Sequence, residues 1–315
     1  MSLEQMMRTV MEENAYLPQA DLTLTVSELD DTETNEVLGF LAERPIHTVC
    51  MMGMIRDNGV VSELNRGTFY GCRNSEGRLE GVALIGHATL IETRTRGAIR
   101  ELAMTAHLHS RLHMIMAEQE KVEQFWNCYA DDGQPMRRAC RELLFELKNA
   151  VETPHKVEGL RLATLDDLDL IAPVHAALAE EESGVNPLER DREGFLSRCA
   201  RRITKGRVWV IVREGRLVFK ADVQADTPEV VYLEGVYVCP EERGSGLARR
   251  CLSQLCEEIL GRSRSICVLV NEMNERAQAF YRLCGFRCVG KYDTVFLHRD
   301  ELAKSEGLSV DTGVN

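Results

Sequence analysis

The run Arg243-Gly244-Ser245-Gly246-Leu247-Ala248 combines a cation, two glycines and the expected start of a helix. Glycine lets a backbone come close to a ligand. A helix start presents unpaired amides and the positive end of the helix dipole. Such a turn suits a phosphate or pyrophosphate. The flanking residues supply its frame. Val230 to Val238 is rich in β-branched and aromatic residues and is followed by Pro240, which predicts a strand with a firm stop. Leu247, Cys251, Leu252, Leu255, Cys256 and Ile259 recur at three- and four-residue steps before Gly261, which predicts an amphipathic helix. A dinucleotide turn needs a small residue where Arg249 stands, and a P-loop needs lysine followed by serine or threonine. Neither pattern fits.

Composition narrows the class. With 315 residues, 44% hydrophobic and 28% charged, the chain has the length of about two soluble domains. It contains no apolar run near the roughly 18 residues of a membrane span. Residues 1–14 are acidic and amphipathic, unlike a signal peptide, so a cytoplasmic protein is expected. Eleven cysteines without a CxxC pair read as reduced thiols, so neither disulfides nor a metal is expected. The formal net charge of −12 disfavours nucleic acid and suits cationic small molecules, although acidic surfaces also serve solubility alone. No membrane partner is expected, and the sequence carries no signal of oligomeric state.

The chain alternates helices and strands, which predicts an α/β (α+β) protein. Residues 3–13 suit a short helix, and 30–44 a helix that ends before Pro45. A hairpin follows, with strands at 68–72 and 79–91, then a helix over 98–107, a strand at 112–116 and helices over 118–129 and 138–148. Residues 149–159, with Pro154 and mixed charge, read as a linker, which places the division at 152/153. Beyond it come a short strand at 160–163, a helix capped by Thr164 and interrupted at 180–184, and a helix over 192–205. A second hairpin covers 208–212 and 217–225. GRLEGVALIGHA at 77–88 is similar to GRLVFKADVQAD at 215–226, so two copies of one fold are expected. His107, His109 and His113 mix two- and four-residue steps across a helix-to-strand transition, which is poor spacing for one ion.

Arg243, Gly246 and Ala248, with Gly244 as an extra glycine, resemble the acetyl-CoA loop of the GNAT (general N-acetyltransferase) superfamily. NEMNERAQAFYRLCGF at 271–286 resembles the family's second cofactor motif. HAALAEEESGVNP at 175–187, LVFKADV at 217–223 and LEGVYVCPEERGSGLA at 233–248 are similar to bacterial tandem GNAT proteins, in which a degenerate GNAT-like domain precedes the acetyltransferase domain. Cys239 stands where relatives often carry histidine. The resemblance implies two tandem GNAT-like domains, each a mixed, mostly antiparallel sheet flanked by helices. Residues 1–152 would be the degenerate, non-catalytic one, and 153–315 the acetyltransferase domain.

It also implies a site. The amides of Gly244, Ser245, Gly246, Leu247 and Ala248, with Arg243, would wrap the pyrophosphate of acetyl-CoA, and the backbone of Tyr237 and Val238 would pair with the pantetheine arm. Asn274 and Ala277 would contact that arm. Glu234 would take the proton of the attacking amine, the alternative being a paired strand carboxylate. Tyr281 would protonate the CoA thiolate, the alternative being a packing aromatic. Glu181 and Glu182 would border the acceptor groove and hold a cationic amine, or be a solvated helix end. The expected activity is acetyl-CoA-dependent N-acetylation of a small-molecule or peptide amine. The alternative is a non-catalytic acyl-CoA-binding regulatory or scaffold protein.

Overall fold

The computed structural model of the protein describes residues 23–109, 112–150 and 156–298. The helix expected at 3–13 and the division at 152/153 lie outside the described residues. In chain order, β1 (Thr25–Glu28) leads to α1 (Thr34–Ala42) and α2 (Pro45–Asn58), then β2 (Gly67–Arg73), β3 (Leu79–Gly86) and β4 (Ala88–Thr93). Next come α3 (Arg96–His107), β5 (Met114–Glu118), α4 (Gln119–Tyr129) and β6 (Met136–Leu147). Then follow β7 (Arg161–Leu162), α5 (Leu168–Ser183), the short α6 (Pro187–Arg190), α7 (Arg192–Thr204), β8 (Val208–Arg213) and β9 (Arg216–Asp226). The series closes with β10 (Val231–Val238), α8 (Leu247–Leu260), β11 (Ile266–Asn271), α9 (Glu275–Leu283) and β12 (Arg287–Leu297). The order β2-β3-β4-α3-β5-α4-β6 recurs as β8-β9-β10-α8-β11-α9-β12. The similar stretches at 77–88 and 215–226 therefore fall on corresponding strands, β3 and β9.

The chain forms two compact units that are not its two halves. Of the described residues, one takes those up to Glu33, those from Val60 to Cys140 and those from Asp293 on; the other takes those from Thr34 to Gly59 and from Arg141 to Tyr292. In the first unit, β1 to β4 are antiparallel neighbours and β4 lies parallel to β5. Ile99, Leu102 and Ala106 of α3 and Val122 and Phe125 of α4 are buried against Tyr70, Ile85, Ile91 and Ile115.

The second unit orders its strands β6-β11-β10-β9-β8-β7, with the β10–β11 pair parallel and the others antiparallel. Phe219, Ala221 and Val223 of β9 share a core with Leu247, Cys251, Leu252 and Leu255 of α8. Side chains alternate along a strand. Lys220, Asp222 and Gln224 therefore face the other way, towards α5 and α7, where the apolar core is smaller and includes Ile171, Ile203, Val208 and Val210.

Four local expectations change. Residues 138–147 belong to strand β6, not a helix: Glu142 to Leu147 pair residue by residue with β11 from Asn271 back to Ile266. Leucine and glutamate favour helix only weakly, and a buried sheet partner overrides that preference. The run at 79–91 breaks at Gly86 into two strands, because there the chain passes so close to Gly67 that a Cβ on Gly86 would meet the Gly67 Cα at 2.4 Å. Pro45 starts α2 instead of only ending the previous helix, since proline suits a first helical turn. The acidic run at 180–183 stays helical and stops at Gly184, whose φ of 72° suits a left-handed cap.

Candidate active site

The β10–α8 turn has the backbone that its glycines suggest. Gly244 and Gly246 sit at φ 82° and 78°, and Gly246 caps α8 in the left-handed region without a side-chain acceptor. The Ser245 hydroxyl donates to the Glu242 carbonyl at 2.8 Å and accepts the Leu247 amide at 3.2 Å. Leu247, expected to donate outward, thus has a partner within the turn. The amides of Gly244, Gly246 and Ala248 have none among the described residues. Arg243 turns back, its Nε donating to the Val238 carbonyl at 3.2 Å. Arg250, not singled out from sequence, reaches the Ser245 carbonyl at 3.3 Å and adds a second guanidinium beside the turn. Oriented amides, a helix dipole and arginines fit a pyrophosphate.

Beside the turn, the two parallel strands separate. β10 pairs with β11 only at Val231 and Tyr232, although both strands continue. Tyr237 and Val238 keep their pairing to Lys220 and Phe219 on the β9 side. Their β11 side is the open one. Two residues, Gly235 and Val236, bulge between Glu234, opposite Asp222, and Tyr237, opposite Lys220. Gly235 has φ 59°, and the Lys220 Nζ donates to its carbonyl at 3.3 Å. Bulges of this kind re-aim side chains next to sites.

Asn274 caps α9, its Oδ1 accepting the Ala277 amide at 3.0 Å, so each of these expected cofactor contacts already satisfies one group of the other. Only the Asn274 amide nitrogen is left to donate outward. Tyr281 is buried among Phe145, Phe280 and Phe286, with ring centroids 6.5, 5.3 and 5.4 Å away. Burial raises its hydroxyl pKa far above the usual tyrosine range, so the group keeps its proton and is a donor.

A charged layer under the bulge is the largest feature that sequence reading missed. Lys220 and Asp222, both fully buried, lie 2.5 Å apart. Asp222 also receives Arg202 at 3.3 Å and His175 Nδ1 at 3.1 Å through the same oxygen, Oδ2. Arg202 continues to Glu234 at 2.7 Å and to Gln224 at 2.5 Å. These cations hold the Asp222 carboxyl far below the usual range against the opposing effect of its burial. Asp222 Oδ1 has no hydrogen-bond partner among the described residues. The period-two alternation of Lys220, Asp222 and Gln224 was the available signal, and it reads as an ordinary half-exposed strand until the helices covering it are known.

His175, Asp222 and Glu234 each offer an atom within 4.8 Å of the others, a spacing that could hold a metal ion. Arg202 and Lys220 already neutralise the two carboxylates. Glu181 and Glu182 are exposed on the last turn of α5. The charge of Glu182 helps to raise the pKa of Tyr232, after burial and together with Glu234 and Glu142. Glu182 and Glu234 therefore share a neighbour. Burial pushes the Cys50 thiol of α2 up to about 12, and the charge of Glu234, close enough to be felt, adds to the rise. Helix α2 thus contributes to the surroundings of Glu234, from a stretch of sequence that offered no such hint.

The corresponding β4–α3 turn of the first unit lacks the glycine pair. There the Thr95 hydroxyl caps the helix by accepting the Ala98 amide at 3.2 Å, and buried Glu92 pairs with Arg94 and Lys121. The histidines of that unit go to separate partners. His107 meets the Tyr129 carbonyl at 2.9 Å, His109 the Tyr70 hydroxyl at 3.0 Å, and His113 stacks on His87 at 4.7 Å.

Residues 173–286 match the model of the acetyltransferase (GNAT) family, a span that holds His175, Glu234, the glycine turn and Tyr281. No curated protein matches the sequence. A GNAT-family acetyltransferase from Colwellia psychrerythraea is similar in structure at TM-score 0.56 and 12% identity, over 88% of this chain and 100% of its own. A Drosophila protein reaches TM-score 0.67 at 14% identity, over 87% of this chain and 98% of its own. A tandem GNAT protein from the clavulanic acid biosynthesis pathway reaches 0.55 at 14%, over 88% of this chain and 100% of its own. At such identities the structures speak for the fold, and the family match speaks for its chemistry of acyl-CoA-dependent acetyl transfer. Residues 173–286 belong to the GNAT acetyltransferase family.

Proposed function

We propose that the second unit transfers the acetyl group of acetyl-CoA to a primary amine of a small molecule or peptide by direct attack on the thioester. The observation that carries this reading is the coincidence, on strand β10, of an open edge, a bulge preceded by Glu234, and a turn whose amides face a helix start without a side-chain cap. Acetyl-CoA, when bound, supplies the activated acyl group. Gly244, Gly246 and Ala248 donate amides to its pyrophosphate, and Arg243 and Arg250 add charge. Tyr237, Val238 and Asn274 offer backbone and amide groups to the pantetheine arm. Glu234 draws the cationic amine and is the first group to meet its proton, with Glu182 and Glu181 extending the acidic approach. Tyr281 holds the proton that the leaving thiolate needs. Residues 1–152 are the non-catalytic part in this reading, since the β4–α3 turn is closed by Thr95. Helix α2 is the exception in that stretch, as it borders Glu234.

The test is release of free CoA thiol from acetyl-CoA in the presence of a panel of primary amines. Thiol release with at least one amine is expected. Tight acetyl-CoA binding without release across the panel would point instead to an acyl-CoA-responsive regulatory protein.

A further inference from the structure

We propose that His175, oriented by Asp222, is the terminal proton acceptor of the acceptor site. The inference rests on the transfer reading above and goes beyond it, because that reading stops at Glu234.

Protonating Glu234 would break its ion pair with Arg202, made at 2.7 Å. Its carboxylate is thus better placed to attract a cation than to keep a proton. His175 has no such tie. Its Nδ1 lies 3.1 Å from Asp222 Oδ2, and Asp222 is ionised and can only accept. Nδ1 therefore carries the ring proton, and Nε2 carries the lone pair. The side chain is 20% exposed, which leaves the ring in reach of a substrate or a bridging water. Phe195 fixes its plane edge-to-face at 5.5 Å.

Charge completes the case. Around the Asp222 carboxylate that meets the ring stand Lys220 from β9, Glu234 from β10 and Arg202 from α7, and Cys199 of the same helix feels Arg202, Asp222, Lys220 and Arg198. Two cations balance two carboxylates. An added imidazolium then meets Asp222, whose Oδ1 is buried and has no partner among the described residues. A buried carboxylate oxygen in that state is costly unless the site uses it. Asp222 Oδ2, at 3.1 Å, keeps the Nδ1 proton bonded while the new proton sits on Nε2. Asp222 is a positioning residue that acts through His175, an arrangement known to steer an imidazole towards base work.

The step balances. The ammonium loses one proton to Nε2, directly or through one water. Its freed lone pair forms the C–N bond, the C–S bond breaks, and the electron pair leaves with sulfur. The thiolate takes one proton, and the nitrogen sheds its second. The sum is amide, thiol and one released proton.

Two measurements test this. In long-range proton–nitrogen NMR of the free protein, His175 should show the Nδ1–H tautomer; the Nε2–H tautomer would overturn the assignment. In kcat/KM against pH with an amine active in the thiol assay, H175Q and H175A should lower turnover about 10²- to 10⁴-fold. Both should lose the acid-side limb and keep acetyl-CoA affinity by calorimetry, with added imidazole partly rescuing H175A. D222N should weaken the same limb, while E234Q lowers kcat/KM but keeps it. A limb that persists in H175Q and disappears in E234Q would return the role to Glu234 and overturn the inference. If the wild-type protein releases thiol with no amine, the transfer reading itself fails, and this inference with it.

Discussion

Replacing Lys220 with methionine should destabilise the second unit by about 3 kcal/mol. Lys220 and Asp222 are both fully buried and 2.5 Å apart, and Lys220 also donates to the Gly235 carbonyl. Removing one partner of a buried ion pair costs about 3–5 kcal/mol, because the other charge stays buried. Asp222 would keep Arg202 at 3.3 Å and His175 at 3.1 Å, which sets the cost at the low end of that range. The double variant K220M/D222L removes both charges, and similar replacements are nearly neutral or better. It should therefore recover most of the loss, leaving a coupling of about 2–3 kcal/mol. Urea unfolding followed by tryptophan fluorescence reads this directly. Trp209 lies in the second unit and Trp126 in the first, so a W126F background reports the second unit alone. A K220M cost below about 1 kcal/mol, or a double variant no more stable than the single, would refute the pair as a coupled buried unit.

Three further outcomes are expected. In G246V, valine must adopt the left-handed φ of 78° or abandon it, and either response re-aims the amides at the start of α8. Acetyl-CoA affinity by calorimetry should fall by at least about tenfold, which is about 1.4 kcal/mol, and an unchanged affinity would remove the turn from cofactor binding. Y281F should lower kcat about 10²-fold or more with acetyl-CoA affinity retained, whereas wild-type turnover would make Tyr281 a packing residue. Asp222 is held far below its ordinary pKa by Lys220, His175 and Arg202, and Asp167 is held down to about 2, chiefly by Arg161. A depressed carboxylate stabilises the fold fully above its unfolded pKa, about 3.9, and loses that contribution as pH falls towards the folded value. Unfolding free energy should thus be insensitive to these groups between about pH 5 and 8 and fall steadily below about pH 4, with a shallower fall in D222N.

The residues legible in the sequence are those whose role is written in local backbone chemistry. Gly244 and Gly246 predict a turn that lets the backbone come close to a ligand, the periodicity from Leu247 to Ile259 predicts helix α8, and Pro240 predicts the end of β10. Each depends on its neighbours within a few residues, and each stands in the structure as expected. The segment 138–148 was misread because Leu143, Leu144 and Leu147 suit a helix or a buried strand equally, and only pairing with β11 decides between them. Residues 45–58 passed unseen as a helix of the second unit, because nothing in Cys50 or Gly53 announces a neighbour some 175 residues away, where Gly53 packs so closely on Ala225 that a Cβ would lie 2.8 Å from that side chain. The charged layer was equally hidden. His175, Arg202, Lys220, Asp222 and Glu234 come from four different elements, and their ion pairs exist only once α5 and α7 are laid over β9 and β10. Glu234 could be picked out through the GNAT resemblance, from its place on the strand before the turn, but its attachment to Arg202 could not. The sequence by itself determined the turn, the helix behind it and the family to which they belong. Tertiary structure alone decided which charges meet beneath the β10 bulge, because Coulomb interactions depend on distance through space and those distances span some 60 residues of chain.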